Sequence, residues 1–147
     1  MTMRLEMVEK ELVAKLRSGT EEQRRIAAKV ACELTFQDCP VEMPIVLESL
    51  RQLRSGNRLT TDQVSGLDAV AAQLDEKYFA LQDSLDERED LDEEGLKLFS
   101  QARVVSSLSL AGEENSLMTA TEAIYEASSA VDNGAHIFRA VLSVFPE

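Results

Sequence analysis

Apolar residues recur at helical spacing almost throughout the chain, and no convincing stretch alternates residue by residue as a half-buried strand requires. A chain patterned in this way buries its apolar surface by packing helix on helix, so the spacing predicts an all-α fold.

The breaks between helices are written locally. Leu5, Val8, Leu12 and Leu16 form one stripe that ends at Ser18-Gly19, where a glycine suits the left-handed residue beyond a helix. Thr20 with Gln23 makes a capping box for a second helix, and Glu21 and Glu22 favour the positive end of its dipole. That helix turns Ile26, Ala27, Val30, Ala31 and Leu34 inward and stops before Cys39-Pro40. A third, from about Glu42 to Arg54, is expected to bury Met43, Val46, Leu47, Leu50 and Leu53 before the break at Ser55-Gly56-Asn57. Thr60 and Gln63 repeat the capping box and open a long helix on Val64, Leu67, Ala71, Leu74, Tyr78 and Leu81. A helix from about Glu93 to Ala111 follows on Leu98, Phe99, Ala102, Val105 and Leu108. Leu117, Ala120, Ile124, Ala127 and Val131 then keep helical spacing as far as Asn133-Gly134. The final stretch, AHIFRAVLSVF, is apolar on most sides and is expected to pack deep. The expected architecture is a compact multi-helical array of about seven helices in antiparallel hairpins, forming a single domain over residues 1–147. No fixed repeat period is present, although the pairs at 21–54 and 93–131 could be loosely equivalent hairpins.

Charge divides the chain in two. Residues 1–58 carry ten Lys/Arg against nine Asp/Glu, and residues 59–147 carry five against eighteen, so the halves bear +1 and −13 of the net −12. With 44% hydrophobic residues this is still the composition of a folded protein. A negative field of this kind repels nucleic acid and anionic membrane and draws in a basic protein surface. No apolar stretch reaches bilayer length, and MTMRLEMVEKEL lacks a signal peptide's apolar block, so a soluble cytoplasmic protein is expected. Cys32 and Cys39 match neither a disulfide framework nor a zinc knuckle; both read as reduced thiols, with a disulfide between them left open.

The charge is densest in DSLDEREDLDEE at 83–94, where Asp83, Asp86, Glu87, Glu89, Asp90, Asp92, Glu93 and Glu94 face the single cation Arg88. Asp90, Asp92, Glu94 and Gly95 match the start of a calcium loop. Lys97 then stands where an apolar residue belongs and Gln101 where the closing bidentate glutamate belongs, so no metal is assigned. Asp92 reads as an N-cap, with Glu93 and Glu94 in the first helical turn. The remainder is either a solvated connection between the two longest helices or a docking surface for a basic partner.

Catalytic groups are scarce. The single histidine, His136, lies in an apolar setting, and no nucleophile elbow, phosphate loop or dinucleotide motif occurs. Glu122 and Glu126 stand one turn apart, but a di-iron bundle needs more histidine than this chain has, and both read as the solvent-side rim of their helix. No catalytic residue, metal or cofactor is assigned. Arg17, Arg24, Arg25 and Lys29 gather at one turn-around and Arg51, Arg54 and Arg58 at the next, to pair with the acidic half or with a second subunit, for which a closed dimer is preferred to head-to-tail association.

Two stretches carry a resemblance. QRRIAAKVACEL (23–34) and ARVVSSLSLAGEENSLMTATEAIYEA (102–127), with its Ala-Arg start and Tyr-Glu-Ala ending, resemble helical segments of small all-helical bacterial proteins from toxin and immunity loci. Those stretches span about a quarter of the chain, and the resemblance implies a non-enzymatic helical protein of bacterial origin without transferring any binding residue. The leading expectation is a non-catalytic protein that neutralises or regulates a basic partner through the eight carboxylates of the run. An adaptor binding a partner in a hydrophobic groove, sought along Phe138, Val141 and Phe145, is the alternative, and an enzyme with an unrecognised site is the weakest reading.

Overall fold

The computed structural model describes residues 4–85, 93–114 and 116–145, and among these it forms eight helices and no strand. They are α1 (Arg4–Val8), α2 (Lys10–Ser18), α3 (Glu21–Asp38), α4 (Pro44–Arg54), α5 (Thr61–Ser84), α6 (Glu93–Ala111), α7 (Leu117–Ser129) and α8 (Ala135–Leu142). The all-α array expected from the periodicity is therefore present, with one more helix because the first stripe is cut at Glu9, whose φ of −144° and ψ of 74° lie outside the helical range. That cut shifts the register: Leu5, Leu12 and Leu16 are buried as expected, Val13 joins them, and Val8 is left 59% exposed.

Both capping boxes form. The Thr20 and Thr60 hydroxyls each accept from the backbone N–H three residues on at 3.1 Å, and the Gln23 and Gln63 side chains accept from the N–H of the capping residue at 2.9 Å. Pro44, which needs no N–H partner in a first turn, starts α4 two residues later than expected. The left-handed glycine lies elsewhere than the sequence placed it. Gly19 is extended at φ −81° and ψ 173°, whereas Gly56, at φ 88°, ends α4 with its N–H donating to Leu53 and that of Asn57 donating to Gln52, a Schellman arrangement.

Partners across the interfaces fix the topology. Asp68 meets Ser109, Asp75 meets Arg103 and Tyr78 meets Phe99, so residue numbers rise along α5 as they fall along α6 and the two helices are antiparallel. The bonds Ser107 to the Ala123 carbonyl and Arg103 to Glu126 show the same for α6 and α7. Two apolar clusters result. One gathers Ala28 and Cys32 with the inner faces of α4, α5 and α6; the other gathers Ala27 and Ala31 with α1, α2, α8 and the Ile124–Ala127 side of α7. Helix α3 thus stands between two cores, and alanines on adjacent faces let helices approach it from both sides. Ile26 of α3, Met43 just before α4 and Leu47 of α4, expected inside, are 38%, 36% and 40% exposed. A helical stripe is buried only where another element lies across it.

Candidate functional site

Four arginines of the first half pair within that half. Arg17 reaches Glu6, Arg25 reaches Glu22 at 2.6 Å, Arg54 reaches Glu33 at 2.7 and 2.9 Å, and Arg58 reaches Glu21 at 3.2 Å. Lys29 donates to the Arg54 carbonyl, and Arg24 to those of Leu16 and Gly19. Of the two pairings anticipated for these residues, that with the acidic second half is not seen for Arg17, Arg25, Arg54 or Arg58 among the described residues, whereas Arg4 does cross to it.

Arg4 belongs to a buried ionic network that the sequence did not disclose. Glu126 on α7 is 6% exposed and accepts from Arg4 at 3.0 Å and from Arg103 of α6 at 3.1 Å. Arg103 also reaches Asp75 on α5 at 2.6 Å, and Arg4 also donates to Glu122. The Arg4 guanidinium lies 4.4 Å from the Tyr125 ring centroid and that of Arg103 lies 5.5 Å from Phe99. Glu126 is therefore not on the solvent-side rim assigned to it. A carboxylate flanking the core stripe, between Ala123 and Ala130, is buried because two guanidinium groups satisfy it there. The network, of three carboxylates and two arginines, joins α1, α5, α6 and α7.

A cleft of about 980 Å³ opens where α3 ends, between the first turns of α6 and the α7–α8 connection. Glu93, Leu96, Lys97, Ser100 and Gln101 stand at helical spacing along α6 on this cleft, while Val104, Val105 and Leu108 further along are buried. The cleft arises because α3 stops at Asp38, before it has covered the start of α6. Asp38, Glu42, Glu93 and Asp132 supply carboxylates to its walls, against Lys97 and the lone histidine. His136 is held at both nitrogens: Nε2 lies 2.8 Å from Asp38 Oδ2 and Nδ1 lies 3.1 Å from the Asn133 carbonyl oxygen. These contacts tie the end of α3 to the start of α8. Cys39 also borders the cleft; burial pushes its thiol above the ordinary range, opposed by the charge of Lys97. Cys32, wholly buried, is pushed up to about 12 by desolvation, and both cysteines are free thiols.

Of the eight carboxylates proposed for partner binding, Asp83 is exposed in the last turn of α5, and Glu93 and Glu94 are exposed in the first turn of α6. Asp86, Glu87, Glu89, Asp90 and Asp92 lie outside the described residues, as does the capping role assigned to Asp92. The latter part of the calcium-loop match, from Glu94 to Gln101, is continuous helix and cannot wrap an ion as a loop would. No cluster of His, Cys, Asp and Glu suited to a metal occurs among the described residues. The groove sought along the last helix is filled by the chain itself: Val141 and Phe145 are buried in the second core and Phe138 packs against it. No described helix is long and apolar enough to cross a membrane.

The cleft was missed as a site because its walls come from residues about ninety positions apart, such as Asp38 and His136 with 98 between them in number. The legible signal was the Asp38-Cys39-Pro40 stop itself, which ends α3. No protein-family model matches this chain, and neither a curated protein nor a solved structure is similar to it.

Proposed function

We propose that the chain is a non-catalytic protein-binding protein that neutralises or regulates a basic protein partner through the acidic face of its second half, in the manner of an immunity protein acting on a toxin. The observation that supports this is the local pairing of Arg17, Arg25, Arg54 and Arg58 with Glu6, Glu22, Glu33 and Glu21. These cations leave the surplus carboxylates of residues 59–147 to solvent or to a partner that brings its own positive charge. Complementary charge of this kind accelerates encounter and selects the partner's sign, and repels nucleic acid. The faint resemblance of residues 23–34 and 102–127 to helical proteins of toxin and immunity loci points the same way and adds a cytoplasmic, bacterial setting to the proposal.

The test is reversal of Asp86, Glu87, Glu89 and Asp90 to lysine. With helical circular dichroism unchanged, the variant is expected to lose a partner captured by the wild-type chain and identified by mass spectrometry. The wild-type association rate should fall steeply as ionic strength rises to about 0.15 M, where the Debye length is about 8 Å. Capture indifferent to both salt and reversal rules the acidic face out. It would leave the adaptor reading, which the 56% exposure of Leu96 in the cleft favours.

A further inference from the structure

The cleft at the end of α3 combines two features that are ordinary apart. Leu96, a large apolar side chain, is exposed, and Val131 lines the cleft with it. Glu42, Glu93 and Asp132 come from three separate segments around it, all exposed and none in an ion pair among the described residues. Single exposed leucines are common on surfaces, but an apolar residue within a concavity and a ring of polar groups around it is the anatomy of an interface centre. The reason for the arrangement lies in the helices: the face of α6 that is core at Val104 and Leu108 runs on past the end of α3 and emerges uncovered at Leu96.

We infer that this cleft receives a segment of a protein partner in which an apolar side chain is flanked by lysine or arginine, the apolar group covering Leu96 and the cations meeting Glu42, Glu93 and Asp132. The inference rests on the acidic-face reading and narrows it to a place and a partner chemistry. Charge complementarity selects the occupant. A second copy of the same face would set carboxylate against carboxylate, and a nucleic acid or anionic membrane would be repelled. Among the described residues Lys97 is the one lysine on the cleft, outnumbered by the carboxylates around it. At about 980 Å³ the cleft has room for several side chains of a peptide segment.

Two labelled synthetic peptides test this by fluorescence anisotropy at low salt. One carries lysines with leucines at helical spacing; the other has the same lysines with every leucine replaced by serine. The leucine peptide is expected to bind the wild-type chain about tenfold more tightly than the serine peptide, and to weaken about tenfold with Leu96→Ser or with the pair Glu42→Lys and Asp132→Lys, as loss of an interface centre would. The equal charge change at Glu48→Lys and Glu76→Lys, away from the cleft, should alter binding by less than about twofold. Circular dichroism establishes folding, and Leu96→Ala serves if the serine variant does not fold. Equal binding of the two peptides, or equal weakening by the cleft and distant reversals, overturns the cleft while leaving a diffuse acidic face standing. Failure of both peptides to bind overturns the acidic face itself. Self-association of the chain that Leu96→Ser abolishes in sedimentation would make the occupant a second copy and overturn the inference.

Discussion

Glu126 shows what a single residue hides from sequence reading. A glutamate four positions after another glutamate reads as a wet helix edge, because glutamate is ordinarily exposed. Its actual partners, Arg4 and Arg103, stand 122 and 23 positions away, and only the packing of α1 and α6 against α7 brings them to it. Replacing Glu126 by Gln should cost about 1–3 kcal/mol in urea unfolding, since it leaves two partly buried guanidinium groups short of a carboxylate. Glu122→Gln should cost less than about 1 kcal/mol, because its partner Arg4 is half exposed. The cysteines were legible as thiols but not as unequal ones. Raised thiol pKa values mean less thiolate at a given pH, so alkylation of the native chain should be slow at both. Cys39, only partly covered, should label first and faster as pH rises, while Cys32 should label only on unfolding, as mass spectrometry of timed samples would reveal.

The helices were legible to the extent that their causes are local. Thr-x-x-Gln needs no distant residue to form a capping box, and both boxes are where the sequence puts them. Thr60→Ala should therefore destabilise the chain by about 1 kcal/mol, read as a lower midpoint in thermal or urea unfolding, and Thr60→Ser should retain most of the stability. Burial along a helix is not local in this sense. Ile26, Leu47 and Val8 have the spacing of core residues yet stay exposed, whereas Val13 was passed over and is fully buried once the break at Glu9 rotates α2. The acidic run shares the same division. Its last residues begin α6 as expected, and its role as a surface depends on a partner that spacing cannot specify.

For the molecule as a whole, the uneven charge was plain from the sequence, but not its consequence. Because Arg17, Arg25, Arg54 and Arg58 are paired within the first half, they leave the second half's self-repulsion in place. Added salt should screen that repulsion more than it weakens exposed ion pairs worth little each, so the thermal midpoint followed by circular dichroism should rise between low and physiological ionic strength. A fall would mean that the ion pairs carry more of the stability than the unpaired acids remove. The place of α3 has its own consequence. With Ala27 and Ala31 facing one cluster and Ala28 and Cys32 the other, it is a party wall. Neither side can come apart without stripping that wall, so the two clusters are bound to melt together, and a disturbance arriving at one is felt as loosening in the other.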